Sequence, residues 1–191
     1  MFSERYFLPN IILTSLALII IAIFIFRKVA EDYKEKGRLS ILSTILEFLI
    51  FFLHGMSSYI FLDSNIDRIN LGNPLPLLGL FLMIFGLIFT IVSMAGLGIK
   101  KSCGQTVDSL VILGFYKYSR NPQIVFYGFV IIGYALLWPS LSGILWIVLY
   151  FIIAHIMVKT EEIHLLQVHG NEYRRYCEQT PRYINFPKQN R

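Results

Sequence analysis

Long apolar runs separated by short polar stretches are the feature that most constrains this chain. Helices of roughly 20 apolar residues cross the hydrocarbon core of a bilayer. Only 15% of the 191 residues are charged, and the mean hydropathy is +0.61, so a soluble domain of this length could not bury the apolar surface. We predict a single all-α integral membrane domain over residues 1–191, with five transmembrane helices and a cytoplasmic helical tail over 159–191. The predicted spans are about 9–26, 39–62, 75–99, 123–138 and 141–158.

The positions of the basic residues predict the orientation in the membrane. The stretches 27–38, 100–120 and 159–191 hold 15 of the 17 lysines and arginines. Cytoplasmic loops carry such an excess, so we expect a multi-pass protein with its C-terminus in the cytoplasm. The prokaryotic plasma membrane is the predicted location, with the endoplasmic reticulum as the alternative. The net charge of +5 is then explained by anionic lipid, and we expect no nucleic-acid partner.

The triplet Arg120-Asn121-Pro122 stands where the fourth apolar run begins. Proline suits the first turn of a helix, because its missing N–H would have no intrahelical partner there. The free N–H groups and the positive end of the helix dipole would face whatever Arg120 and Asn121 hold. We therefore predict a binding corner on the cytoplasmic side.

Two polar residues lie within the second apolar run. Glu47 is the only carboxylate in any of the runs, and His54 follows seven residues later on the same helix face. An acidic residue inside a span marks a functional site by default, although it can also bond to a neighbouring helix. We predict Glu47 and His54 as substrate-contacting residues, with helix packing as the alternative. Neither His54 nor the two cysteines belong to a set with metal-ligand spacing, so no metal site is expected.

Two further features of the sequence predict how the helices pack. Gly79, Gly86, Thr90 and Ser93 fall near one helix face, which favours close approach of a neighbouring helix. Pro139-Ser140 is too short a joint for anything but an antiparallel hairpin between the fourth and fifth runs. Both features predict a tightly packed bundle.

An ordered set of motifs fills the second half of the chain. It comprises Gly114-x-Tyr116-x-x-x-Arg120-Asn121-Pro122, Glu161-Glu162-x-x-Leu165, Gly170-x-x-Tyr173-x-x-Tyr176 and Pro181-Arg182. From about Gly96 onward the chain resembles the isoprenylcysteine carboxyl methyltransferase and phospholipid methyltransferase superfamily. The ordered set is much more specific than any of its parts.

This resemblance implies a membrane methyltransferase that uses S-adenosyl-L-methionine. The family usually has Tyr two positions after the proline, where this chain has Ile124, and Tyr127 is the expected replacement. Arg120 and Arg182 are the predicted catalytic residues, because a guanidinium could hold an acceptor carboxylate. The implied cofactor-binding residues are Gly96, Gly98, Tyr116, Arg120, Asn121, Pro122, Tyr127, Glu161 and Glu162.

The acceptor is expected to be a lipophilic small molecule or a lipidated group that enters from the bilayer. A prenylcysteine-type carboxylate is the first prediction, because a carboxylate is ionised at neutral pH and needs no base. This would make the enzyme similar to an isoprenylcysteine carboxyl O-methyltransferase. A phospholipid amine or a thiol stays open as the acceptor. Functions of other classes also stay open: a small transporter using Glu47 and His54, a membrane scaffold, or a nicotinamide-dependent reductase.

Overall fold

A computed structural model describes residues 4–62, 69–70, 72–105 and 109–184. The described part of the chain is helical and contains no strand. Residues 185–191 of the predicted tail lie outside the described residues. The helices are α1 (Glu4–Lys36), α2 (Ile41–Met56), α3 (Ser58–Phe61), α4 (Pro74–Leu97), α5 (Ile99–Ser102), α6 (Pro122–Leu136) and α7 (Leu141–Gln179), with a 3-10 turn at Gly114–Lys117 before α6.

Four of the described segments are long and apolar enough to cross a membrane. They are Leu8–Lys36, Ile41–Phe61, Pro74–Leu97 and Leu141–Gln179. Many of their large apolar side chains are exposed, among them Leu13 and Phe81, which suits lipid as the surrounding solvent. The protein is therefore an integral multi-pass membrane protein. Helix α6 has 15 residues, so its role as a fifth span stays a prediction.

Helix α1 continues well beyond its apolar run. The stretch 27–38, expected as a loop between two spans, is helical as far as Lys36, so the prediction of a loop was wrong for residues 27–36. Asp32 is fully buried there, forms ion pairs with Lys28 and Lys36, and accepts hydrogen bonds from the hydroxyl groups of Ser40 and Ser43. Pairs spaced by four residues stabilise a helix, and Asp32 also ties the end of α1 to the start of α2.

The second apolar run is divided into α2 and α3 at Ser57. The Ser57 hydroxyl donates to the carbonyl oxygen of His54 at 2.6 Å, and the indole Nε1 of Trp146 donates to the same oxygen at 3.0 Å. These side-chain bonds accompany the interruption of the helix. They also fix α2 against α7.

Glycines bring α4 and α6 into backbone contact. A Cβ added at Gly79 would lie 2.6 Å from the carbonyl oxygen of Gly133, and one at Gly86 would lie 2.6 Å from that of Phe126. Larger side chains would therefore separate the two helices. The close approach predicted for Gly79 and Gly86 is confirmed, and the antiparallel partner is α6.

Helix α7 links the membrane bundle to the site. It starts after the short joint that follows α6, so the predicted helical hairpin is confirmed. Its buried side chains include Trp146, Tyr150 and Ile153. The helix kinks at Gly170, whose φ of +50° favours glycine. Beyond the kink, the Tyr176 hydroxyl donates to the carbonyl oxygen of Tyr116 at 2.6 Å, which fastens the tail to the loop before α6.

Candidate active site

Three distant parts of the chain meet at one carboxylate. Arg120 Nη1 lies 2.8 Å from Glu162 Oε1. Arg182 donates to Glu162 Oε2 through Nε at 2.9 Å and through Nη2 at 2.6 Å. These bonds to Glu162 raise the pKa of the Arg182 guanidinium. Glu162 therefore joins the loop before α6, helix α7 and the tail.

Hydrogen bonds to two backbone carbonyl groups of the tail hold it against the predicted corner. The Arg120 N–H donates to the Pro181 carbonyl at 3.0 Å, and Asn121 Nδ2 donates to the Arg182 carbonyl at 3.0 Å. Pro122 is buried in the first turn of α6. The Asn121 side chain thus holds the tail in place, and Pro122 begins α6 at this corner.

A polar cavity of about 110 Å³ lies beside this corner. Tyr116, Arg120, Asn121, Glu161 and Glu162, all predicted from sequence, contribute to its lining. Burial raises the pKa of the Tyr116 phenol, so this hydroxyl stays protonated at neutral pH and can donate a hydrogen bond. The cavity therefore offers a guanidinium, carboxylates and a phenol to a polar ligand.

The two adjacent glutamates differ in their bonding. Both line the polar cavity, although neighbours on a helix point about 100° apart. Glu162 is bound by two guanidinium groups. The side chain of Glu161 forms no hydrogen bond or ion pair with any residue of the described ranges, so its oxygens remain available as acceptors.

An apolar cavity of about 620 Å³ adjoins the polar one. Helix α2 contributes Phe48, Phe51 and Phe52, and Tyr127 lies on α6. The predicted residue Tyr127 therefore lies in this second cavity. The further lining includes Gly55, Met56, Leu87, Ile91, Met94 and Met157, with Glu47 as a carboxylate.

The two cavities share a wall. Ser102, Gln123 and Glu161 line both of them. A polar ligand on one side and an apolar ligand on the other would therefore approach each other at these three residues. This arrangement suits the transfer of a group between two molecules of different polarity.

Five of the predicted residues, Pro122 among them, do not line either cavity. Gly96 and Gly98 are exposed near the end of α4, although Leu97 between them lines the polar cavity. Arg182 does not line the polar cavity itself, but it binds Glu162, which does. His54 is 1% exposed, stacks on Trp146 with ring centroids 4.7 Å apart, and its Nε2 lies 3.1 Å from the Trp146 carbonyl oxygen. His54 is thus a packing residue in this structure, and the substrate contact predicted for it finds no support.

Sequence reasoning missed several residues of the cavity linings, among them Ser102 and Gln123 of the shared wall and two aromatic residues of the polar cavity. Tyr33 on α1 stacks on His164 on α7, with ring centroids 4.0 Å apart and planes within 13°, and both line the polar cavity. His164 Nε2 is buried and has no hydrogen-bond partner among the described residues. His164 follows Glu161 by three residues, so helical spacing would have placed it on the same side of α7. No sequence signal indicated Tyr33.

Comparison with known proteins identifies the family. The phospholipid methyltransferase family model matches residues 75–172, which include the Arg-Asn-Pro corner and the glutamate pair. No curated protein and no solved structure matches the chain. The matched region covers more than half of the 191 residues. The chain therefore belongs to the phospholipid methyltransferase family, within the superfamily of integral membrane methyltransferases that its motifs resemble.

Proposed function

We propose that the protein transfers a methyl group from S-adenosylmethionine to the amine of a phospholipid headgroup. The family points to methylation of a lipid acceptor with this cofactor. The observation that carries the proposal is the wall of Ser102, Gln123 and Glu161 shared by the polar and apolar cavities. The polar cavity takes the cofactor, and the apolar cavity takes the lipid.

The residues around the polar cavity fit the cofactor. It carries an α-amino group, a carboxylate and ribose hydroxyls, and when bound it supplies an electrophilic methyl group on a sulfonium. Glu161 has free carboxylate oxygens for the amino group or the ribose. Arg120 Nε is buried and has no hydrogen-bond partner among the described residues, so it suits the cofactor carboxylate. Tyr33 and His164 contribute aromatic surface to the same cavity.

The charges favour an amine over the prenylcysteine carboxylate that was the first prediction. Glu47 and Glu161 both line the apolar cavity, and a cationic ligand would favour the ionised form of these carboxyl groups, whereas another carboxylate would disfavour it. Arg120 and Arg182, expected to hold an acceptor carboxylate, are bound to Glu162 instead. An ammonium group would be attracted where a carboxylate would be repelled.

The chain contributes alignment and exclusion of water. Helices α2 and α4 surround the acyl part of the lipid with aromatic and aliphatic side chains, and Gln123 and Ser102 present polar groups where the headgroup would lie. Holding both reactants in line lowers the activation free energy, by about 7–11 kcal/mol in well-oriented systems. This alignment is the main catalytic effect expected of the site.

Calorimetric titration with S-adenosylhomocysteine tests the cofactor half of the proposal. The purified protein should bind it saturably, and Glu161→Gln and Arg120→Ala should each weaken binding at least about tenfold, because each removes a charged hydrogen-bonding group. Glu172→Gln, an exposed acid on the same helix, is the matched control and should bind as the wild type does.

The acceptor half needs a separate assay. Transfer of labelled methyl groups to phosphatidylethanolamine in nanodiscs should exceed transfer to a prenylcysteine. Folded wild-type protein that binds no S-adenosylhomocysteine would overturn the methyltransferase proposal. Faster methylation of the prenylcysteine would overturn only the choice of acceptor.

A further inference from the structure

The family match and the lining of the polar cavity leave Glu47 without an assigned role. It lies on α2, outside the matched residues 75–172, and it lines the apolar cavity. Its Oε1 atom is buried and has no hydrogen-bond partner among the described residues. A buried polar atom without a partner is costly, so such an atom calls for an explanation. A ligand that enters the cavity would supply the missing partner.

The position of Glu47 along α2 matches the headgroup end of the cavity. One turn earlier, the Thr44 hydroxyl donates to the carbonyl oxygen of Cys103 at 3.3 Å, close in sequence to Ser102 in the shared wall. Phe48, Phe51 and Phe52 follow Glu47 toward the other end of the helix. The carboxylate therefore lies between the polar wall and the aromatic part that would hold an acyl chain.

The cavity contains acids and no basic residue to neutralise them. Besides Glu47, its titratable lining residues are Glu161 on α7, Tyr127 on α6 and Cys103 after α5. The described residues of the lining include no Lys, Arg or His. A carboxylate in apolar surroundings attracts a cation far more strongly than one in water. The cavity is thus suited to a ligand with an apolar body and a positively charged end.

We propose that Glu47 binds the ammonium group of the acceptor lipid and accepts its proton. In this step an N–H bond of the ammonium breaks, an O–H bond forms on the Glu47 carboxylate, and the electron pair stays on nitrogen. The charged pair becomes a neutral amine and a carboxylic acid. The nitrogen lone pair can then form a bond to the methyl carbon while the bond from that carbon to sulfur breaks, so the electron pair of that bond stays on sulfur and the positive charge passes to nitrogen. The proton returns to water when the product leaves. This assignment rests on the proposed function, and it leaves Glu161 to the cofactor.

The test compares Glu47→Gln with the wild type in nanodiscs. The variant should lower kcat for phosphatidylethanolamine methylation by about a hundredfold, the range typical for removal of a general base. Its affinity for phosphatidylethanolamine, measured by native mass spectrometry, should fall about tenfold, while that for phosphatidylglycerol, which has no ammonium, should not change. Glu47→Asp should recover part of both losses.

Controls separate this role from a structural one. Glu47→Gln should bind S-adenosylhomocysteine as tightly as the wild type, which reports an intact fold. Glu35→Gln, at an exposed position of α1, makes the same change of charge and should leave all three measurements unchanged.

Two results distinguish the failures. Unchanged kcat and unchanged selectivity for phosphatidylethanolamine in Glu47→Gln would overturn the assignment. If the wild type binds no S-adenosylhomocysteine, the proposed function fails. The comparison of the two lipids would still decide whether Glu47 binds the ammonium.

Discussion

Two glutamates near the same end of the bundle have opposite surroundings. Glu162 is held by Arg120 and Arg182 through contacts of 2.6–2.9 Å. Glu47 lines an apolar cavity and has a buried oxygen without a partner among the described residues. A carboxylate held by two guanidinium groups organises its neighbours, whereas one that lacks an ionic partner is available for a ligand. We therefore infer an architectural role for Glu162 and a chemical one for Glu47.

The largest expected effect is that of removing the Glu162 carboxylate. Glu162→Ala leaves two guanidinium groups without their shared partner, and breaking a buried pair in this way costs roughly 3 kcal/mol. We expect a clear fall in thermal stability and a loss of S-adenosylhomocysteine binding of about a hundredfold or more. Differential scanning fluorimetry and calorimetric titration measure the two effects.

Its control is Glu172→Ala, at an exposed position on the same helix, which should change neither measurement. If Glu162→Ala kept wild-type stability and binding, the distinction between the two glutamates would be wrong.

A bulky residue in the apolar cavity should weaken the binding of the lipid and leave the binding of the cofactor unchanged. Gly55 lines this cavity, and a Cβ added there would have no neighbour within 4 Å. Gly55→Phe fills space without a clash at Cβ, so we expect the KM for phosphatidylethanolamine to rise about tenfold, as the loss of roughly 1.4 kcal/mol of binding would produce. Steady-state methylation kinetics measure this change.

Titration with S-adenosylhomocysteine is the companion measurement, and its affinity should stay the same. A variant that lost affinity for both ligands would show that the two cavities do not act separately.

The smallest expected effect concerns Cys177. Arg120 Nη1 donates to its Sγ at 2.6 Å, in addition to the ion pair with Glu162. Cys177→Ser keeps an acceptor of similar size, and a single neutral partner is worth about 1 kcal/mol. We expect S-adenosylhomocysteine affinity within about fivefold of the wild type. A change as large as that in Glu162→Ala would mean that the sulfur, and not the carboxylate, positions Arg120.

Much of the fold could be predicted because its signals are local. The apolar runs predicted membrane helices, and Gly79 and Gly86 predicted a close contact before their partner was known. The continuation of α1 to Lys36 was missed, although Lys28, Asp32 and Lys36 are spaced by four residues and could have indicated it. Hydropathy alone predicts that a helix ends where its residues become polar, although ion pairs between residues four positions apart can stabilise the helix beyond that point.

The site was harder to predict because it depends on contacts between distant residues. The ordered motifs predicted that Arg120, Asn121, Glu161 and Glu162 belong to one site, and all four residues line the polar cavity. The ionic partners of Glu162, however, could not be predicted from helical spacing, because Arg120 lies in the loop before α6 and Arg182 lies in the tail. Helical spacing gives the direction of a side chain but not the tail that folds back over it.

The backbone contact between α4 and α6 bears on how the lipid is exchanged. With Gly79 against Gly133 and Gly86 against Phe126, the backbones of these two helices leave no room for an acyl chain between them. Helix α2 packs mainly on α1, and it lines the other side of the apolar cavity. A lipid that enters the apolar cavity from the bilayer would thus pass beside α2 and not between α4 and α6.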